Sequence, residues 1–142
     1  MAELLIPRGI FDEMIAHCKR GYPHEACGIL AGKGNQVSVI YPMTNVEQSP
    51  VSYLMESSEQ FRVMEDMRRQ GLGMVAIFHS HPASPPYPSQ RDVSLAFYDD
   101  SVYVIVSLAG EKPTVKGFAI RDGRVAEVAL GIREEEKGEG DL

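Results

Sequence analysis

The sequence predicts a single α/β (α+β) domain with a mixed central β-sheet flanked by helices. Three observations carry this. The 142 residues suit one well-formed core rather than two. Two continuous apolar runs, Met74 to Phe78 and Val102 to Leu108, read as strands covered on both faces. Segments of helical period alternate with these and other strand-like segments along the chain.

Taken in order, residues 8–20 place Ile10, Met14, Ile15 and Cys18 at helical spacing, and Gly21 with Pro23 stops the helix. Cys27 to Ala31 and Val37 to Tyr41 read as strands joined by the turn-rich Gly32-Lys33-Gly34-Asn35. Val51 to Glu56 reads as a further strand. Ser57 then opens an amphipathic helix with Phe61, Met64 and Met67 on one face and Arg62, Asp66 and Arg69 elsewhere, ending near Gly71. The apolar run from Met74 leads directly into His79-Ser80-His81-Pro82, a proline-rich loop to Pro88, and a helix from Ser89 to about Phe97. After Val102 to Leu108, Thr114 to Ile120 and Val125 to Leu130 flank Asp122-Gly123, a hairpin signal because such turns need positive φ. The chain reads as one domain over 1–132 with an acidic, disordered tail over 133–142.

Composition excludes several classes. Hydrophobic residues are 44% and charged residues 24%, as in ordinary globular proteins. No stretch approaches the ~20 apolar residues of a membrane span, and the opening MAELLIPRGI lacks the basic and apolar regions of a signal peptide, so the expected compartment is the cytoplasm. In that compartment Cys18 and Cys27 read as free thiols. The net charge is −6, and the tail from Arg133, with two basic and five acidic residues, supplies half of it. With no basic patch, nucleic acid is not an expected partner.

The unit of strand 74–81, helix 89–97 and strand 102–108 matters most. It reads as a βαβ crossover, and open α/β sheets place ligands where the first strand's C-terminal end meets the helix N-terminus. His79 and His81 sit at that strand end; Ser89 and Asp92 sit in the helix's first turn. Residues two apart on a strand share a face, about 6.5–7 Å apart, so two imidazoles can converge on one ion at about 2.0–2.1 Å each. With an aspartate as third ligand, one position stays open, which is the pattern of catalytic rather than structural zinc. A lone His-x-His pair arises by chance in ~1 in 10 chains of this histidine content, but adding serine eight and aspartate eleven residues later reduces this to the order of a few in ten thousand. Ser89-x-x-Asp92 also has a purely structural reading as a helix capping box.

His79-Ser80-His81-Pro82 followed by Ser89-Gln90-Arg91-Asp92, with the upstream His24-Glu25-Ala26-Cys27-Gly28, resembles the JAMM motif of the MPN domain family: a glutamate, then H-x-H, seven residues, and S-x-x-D. The resemblance covers essentially the whole chain, and its context is similar to the small bacterial and archaeal members, without the long insertions of eukaryotic deubiquitinases. It implies a cytidine-deaminase-like fold, zinc held by His79, His81 and Asp92, Glu25 as the base acting on the attacking water, and Ser89 as a donor to the tetrahedral intermediate. The implied substrate is the flexible tail of a ubiquitin-like or sulfur-carrier protein lying in a groove as an added strand. The chemistry is consistent. Zinc lowers the pKa of a water toward about 7, amide hydrolysis needs a base to move the proton to the leaving amine, and a hydroxyl can serve the oxyanion.

The alternatives are a non-catalytic MPN scaffold, although the full ligand set is present, and another metal-dependent hydrolase. Amidohydrolase-type barrels need at least ~200 residues and further histidines, but none follows His81. Zinc deaminases need H-x-E with P-C-x-x-C, and neither occurs. Among the remaining residues, His24 and His17 read as solvent-facing, Cys27 as a small buried hydrophobe, Arg91 as solvated, and loop 82–88 as either a stiff connection or a wall of the substrate groove.

Overall fold

The computed structural model describes residues 3–134. Within them, seven strands and three helices follow one another as β1 (Glu3–Pro7), α1 (Arg8–Gly21), β2 (Cys27–Lys33), β3 (Gln36–Met43), α2 (Ser57–Gln70), β4 (Gly73–His81), α3 (Gln90–Ser94), β5 (Val102–Ser107), β6 (Thr114–Arg121) and β7 (Arg124–Arg133). The sheet is mixed and closes on itself in the order β1-β3-β2-β4-β5-β6-β7. Parallel pairing joins β4 to β5 and β1 to both β3 and β7; the other neighbours are antiparallel.

The two expected apolar strands lie side by side at the centre, from Ala76 opposite Val102 to His81 opposite Ser107. Their period-2 alternation divides the core. Ala76, Phe78, Val102, Val104 and Val106 join Met14 and Cys18 of α1 in one cluster. Ile77, Tyr103 and Ile105 join Met67 of α2 in a second. Helices therefore cover both faces, and each strand needs apolar side chains on both. His79 and His81 share the parity of Ile77, which puts them on the α2 side at the end of β4. The β4–α3–β5 crossover is present as the sequence predicts.

Gly28 shows how tightly β2 is packed here: a Cβ at this position would collide with the Phe78 ring across the β2–β4 pair. At the far end Asp122 and Gly123, both at positive φ (50° and 76°), close the β6–β7 hairpin.

Several expectations are corrected. Val51 to Glu56 is not a strand; one isolated bridge, Asn45 opposite Met55, is its only ladder pairing. β1 goes unpredicted from sequence, because its alternation is only Leu4 and Ile6 and its partners lie far along the chain. Phe61 is 64% exposed while Met67 is buried, so the inward stripe of α2 runs through Val63, Met64 and Met67 instead. Glu56 rather than Ser57 caps α2, its carboxylate accepting from the N–H groups of Ser58 and Glu59. α3 ends at Ser94, short of Phe97. Of the expected tail, Arg133 ends β7 and Glu134 pairs with Arg8; 135–142 lie outside the described residues.

Candidate metal centre

Two imidazoles and one carboxylate converge at the end of β4. His79 Nε2 lies 3.1 Å from His81 Nε2 and 3.2 Å from Asp92 Oδ2, and His81 Nε2 lies 3.0 Å from the same Oδ2. Tetrahedral ligands about 2.0–2.1 Å from a zinc ion stand ~3.3 Å from one another. The three atoms already form a triangle of nearly that size, and the donor set of two neutral imidazoles and a carboxylate suits zinc. The residues present therefore fit the ion that the motif implies. They are also the one group of three or more potential ligands among the described residues.

Each candidate ligand is held by its element. Pro85 carbonyl lies 2.8 Å from His81 Nδ1, so the N–H stays on Nδ1 and Nε2 keeps its lone pair for a metal. The proline-rich loop thus orients a candidate ligand, and it is itself tied to β5 where Ser107 Oγ donates to Ser84 carbonyl at 2.6 Å. Asp92 is held by a complete capping box: Asp92 N–H donates to Ser89 Oγ at 3.0 Å and Ser89 N–H to Asp92 Oδ2 at 2.9 Å. The structural reading of Ser89 is therefore correct as geometry. It uses the hydroxyl oxygen as acceptor and leaves the O–H free to donate.

The electrostatics follow from burial and pairing. Burial pushes the His79 imidazolium toward deprotonation, outweighing Asp92. Burial opposes ionisation of Asp92, but the approach of both histidine rings and the Ser89 N–H hold its carboxyl well below the usual carboxylate range.

Glu25 sits between α1 and β2, a location that on sequence grounds suits a solvated residue. It is instead 5% exposed, and its Oε1 is buried with no protein partner. Burial raises its pKa to about 7, with His81 pulling in the other direction and Asp92 adding to the rise. A carboxyl poised near neutrality beside a metal-ligand cluster has the property of a general base.

Three residues at the site escape sequence reasoning. Tyr53 stacks on His79, ring centroids 4.7 Å apart at 25°. Ser80, between the two histidines but facing the other way, accepts from Ala26 N–H at 2.8 Å, while its own N–H donates to Ala26 carbonyl at 3.0 Å. Those two bonds lock the His-x-His strand to the residue after Glu25. Asn45 bonds the Glu25 carbonyl. Its place beside a stretch with Ser49, Pro50 and Ser52, where side chains commonly bond the backbone, is the only sequence signal for it.

The other residues singled out in the sequence divide. His24 is exposed, as expected. His17 is not solvent-facing: it is half-buried, with Nε2 3.1 Å from Cys27 carbonyl and its ring edge-on to Phe78. Cys27 and Cys18 are free and buried, and burial pushes both thiols up to about 12, which disfavours the thiolate form. Arg91 is exposed and pairs with Glu47 at 3.4 Å.

Beside Asp92 runs a groove of about 250 Å³, whose lining includes Tyr53, Leu54, Met55, Leu95, Phe97 and Tyr98. Leu54 and Phe97 are 57% and 74% exposed, so this apolar lining faces solvent at its rim.

A family model described as prokaryotic homologs of the JAB domain matches residues 7–121. The chain belongs to this family. It is 38% identical over 135 residues to the CysO-cysteine peptidase of Mycobacterium tuberculosis, covering 93% of this chain and 92% of that one. It is 37% identical over 130 residues to the Thermus thermophilus protein named "Probable TtuB-protein conjugate cleaving protease", covering 91% and 82%. The solution structure of a Desulfitobacterium hafniense protein superimposes with a TM-score of 0.84 at 39% identity, covering 93% and 94%. The matched family is the one whose motif the sequence resembles.

Proposed function

We propose that this chain is a zinc-dependent peptidase of the JAMM kind, on a fold of the cytidine-deaminase-like type, working in the cytoplasm on the C-terminal tail of a sulfur-carrier or ubiquitin-like protein. The observation that carries the reading is the 3.0–3.2 Å triangle of His79, His81 and Asp92, with a buried Glu25 whose neighbour Ala26 is bonded to Ser80 between the two histidines. The relatives' names supply the substrate class: one is a CysO-cysteine peptidase, another a cleaving protease for TtuB-protein conjugates.

In this reading His79, His81 and Asp92 hold the ion, which when bound supplies Lewis acidity to a water and to the scissile carbonyl. Glu25, titrating near neutral pH, takes the proton of the attacking water and delivers it to the leaving amine. Ser89, whose hydroxyl oxygen is engaged by Asp92 N–H, directs its free O–H at the developing oxyanion. The groove beside Asp92 receives the substrate tail in extended form and keeps water off the reacting bond. Retention of all three ligand side chains in one triangle weighs against the scaffold alternative.

The test uses two substrates built on a sulfur-carrier protein ending in Gly-Gly: one extended by a single cysteine, one joined to a lysine side chain. Zinc-loaded protein is incubated with each and the products are weighed intact by mass spectrometry. We expect cleavage after the second glycine in at least one, abolished by a chelator and restored by zinc. Absence of cleavage of both by fully loaded protein would overturn the assignment.

A further inference from the structure

The side chain of Asn45 has four hydrogen-bonding capacities, two N–H donors and two acceptor lone pairs on the oxygen, and all four are used. Its Nδ2 donates to Glu25 carbonyl at 2.9 Å and to Ser52 carbonyl at 3.0 Å. Its Oδ1 accepts from the N–H groups of Glu47 and Leu54, each at 3.0 Å. Two carbonyls on one side and two N–H groups on the other fix which way the amide points. These four partners belong to three pieces of the site. Glu25 is the candidate base. Glu47 pairs with Arg91 beside Asp92. Ser52 and Leu54 flank Tyr53, which lies on His79 and forms one wall of the groove.

Around Asn45 the other anchors lie at the two ends of the segment: Glu56 N–H donates to Thr44 carbonyl at 3.1 Å, and Thr44 N–H and Oγ1 donate to the Glu59 carboxylate at 2.8 Å each. The segment makes one isolated bridge, Asn45 to Met55, and Val46 N–H donates to Leu54 carbonyl at 3.0 Å. Glu25 N–H donates to Ser49 carbonyl at 2.8 Å, so the same segment touches the candidate base twice. No sheet ladder runs along 46–54. The loop's shape thus depends on a side chain that is bonded to the backbone of the base.

We infer that Asn45 is a positioning residue that couples the groove wall 52–54 to Glu25, so that one amide sets both where the substrate tail lies and where the proton acceptor stands. This rests on the peptidase reading above. A catalytic group displaced by about 1 Å can cost ~10²-fold in rate, and here the same displacement also disturbs substrate binding. Removing the amide therefore lowers kcat and raises KM together. A generic loss of stability would lower the amount of active protein and leave both constants of the folded fraction unchanged.

The experiment compares Asn45→Asp and Asn45→Ala with Asn35→Ala, which deletes a single exposed bond from Asn35 Nδ2 to Glu3 carbonyl at 2.9 Å, away from the site. Asn45→Asp keeps the shape and both acceptors but loses both donors, opposing a carboxylate to the Glu25 and Ser52 carbonyls. Two readouts are taken on zinc-loaded protein. Backbone hydrogen exchange is followed by peptide over 44–56, 8–21 and 73–81. Cleavage of the cysteine-extended carrier protein is followed to separate kcat from KM. In both Asn45 variants we expect exchange over 44–56 to rise about tenfold or more with 8–21 and 73–81 unchanged, zinc stoichiometry kept, kcat down ~10–100-fold and KM up several-fold. Asn35→Ala should match wild type in both readouts. Unchanged exchange over 44–56 in Asn45→Ala, or unchanged kcat and KM in a folded Asn45→Asp, overturns the inference. If wild type itself cleaves nothing, the peptidase reading fails, and the exchange readout still decides whether Asn45 holds the segment.

Discussion

Tyr53 lies nearly flat on His79, with ring planes 25° apart and centroids 4.7 Å from one another. The other imidazole, His81, has a hydrogen bond from its Nδ1 to hold its orientation, whereas His79 Nδ1 is buried with no partner among the described residues. Apart from the contacts of its Nε2 with Asp92 and His81, the orientation of His79 depends on packing, and the Tyr53 ring is one face of that packing. Outer contacts of metal ligands are commonly worth about 10–100-fold in affinity. We predict that Tyr53→Ala weakens zinc binding by about tenfold in competition with a chelator, while Tyr53→Phe, which keeps the ring, binds like wild type. Equal affinities in all three would show that the stack plays no part in holding the ligand.

The triangle of ligand atoms predicts about one zinc per chain in protein purified without chelator. Elemental analysis should find most of it lost in His79→Ala and in His81→Ala, since two remaining ligands hold the ion far more weakly. Full retention in both variants would rule the site out. Asp92→Ala carries a second cost, because the capping box and the carboxylate are the same residue. It should lose metal and also fall in stability by about 0.5–2 kcal/mol in the metal-free state.

Glu25 yields a prediction that needs no substrate. Its folded-state pKa is raised to about 7 from an ordinary 4.5, so between those pH values the folded protein binds more protons than the unfolded chain. Stability from this group is greatest below pH 4.5 and declines as pH rises toward and past 7. Glu25→Gln removes that dependence. Urea unfolding of zinc-stripped protein should show the glutamine variant gaining on wild type by on the order of 2 kcal/mol between about pH 5 and pH 8. With zinc restored, the same variant should keep its metal and lose its peptidase activity. A gap that does not widen with pH would mean that Glu25 is solvated in the folded protein.

How far the sequence leads is visible at individual residues. His79 and His81 are legible because a strand's period is two and the apolar run before them fixes their parity. Asp92 is legible because the crossover must bring the helix start to the strand end. The burial of Glu25 is not, because it depends on segment 45–55 folding over it, and that segment is shaped by side-chain bonds rather than by a periodic pattern. The same bonds explain why Val51 to Glu56, with β-branched and aromatic residues, resembles a strand and is none. β1 escapes the sequence for a complementary reason: five residues with two inward side chains give almost no periodic signal, and its closure of the sheet against β7 is a contact across the whole chain.

Ser89 can be tested for a role beyond capping, because its two functions use different parts of one hydroxyl. The oxygen accepts from Asp92 N–H at 3.0 Å, and the O–H proton is left over. If the cap is its whole role, Ser89→Ala costs about 0.5–2 kcal/mol of stability and leaves turnover per folded molecule nearly intact. If the O–H serves the oxyanion, the same change lowers kcat by about 10²–10³ with zinc still bound. Ser89→Asp separates the two further, since aspartate is a good N-cap acceptor but an ionised carboxylate donates nothing. It also places a negative charge where the reaction develops one, so its effect on kcat should exceed that of alanine while its stability exceeds that of the alanine variant. We predict a folded, zinc-bearing Ser89→Asp protein with kcat reduced by at least ~10²-fold and a melting temperature near wild type. Substantial activity in that variant would assign Ser89 to the cap alone and leave oxyanion stabilisation to the metal site.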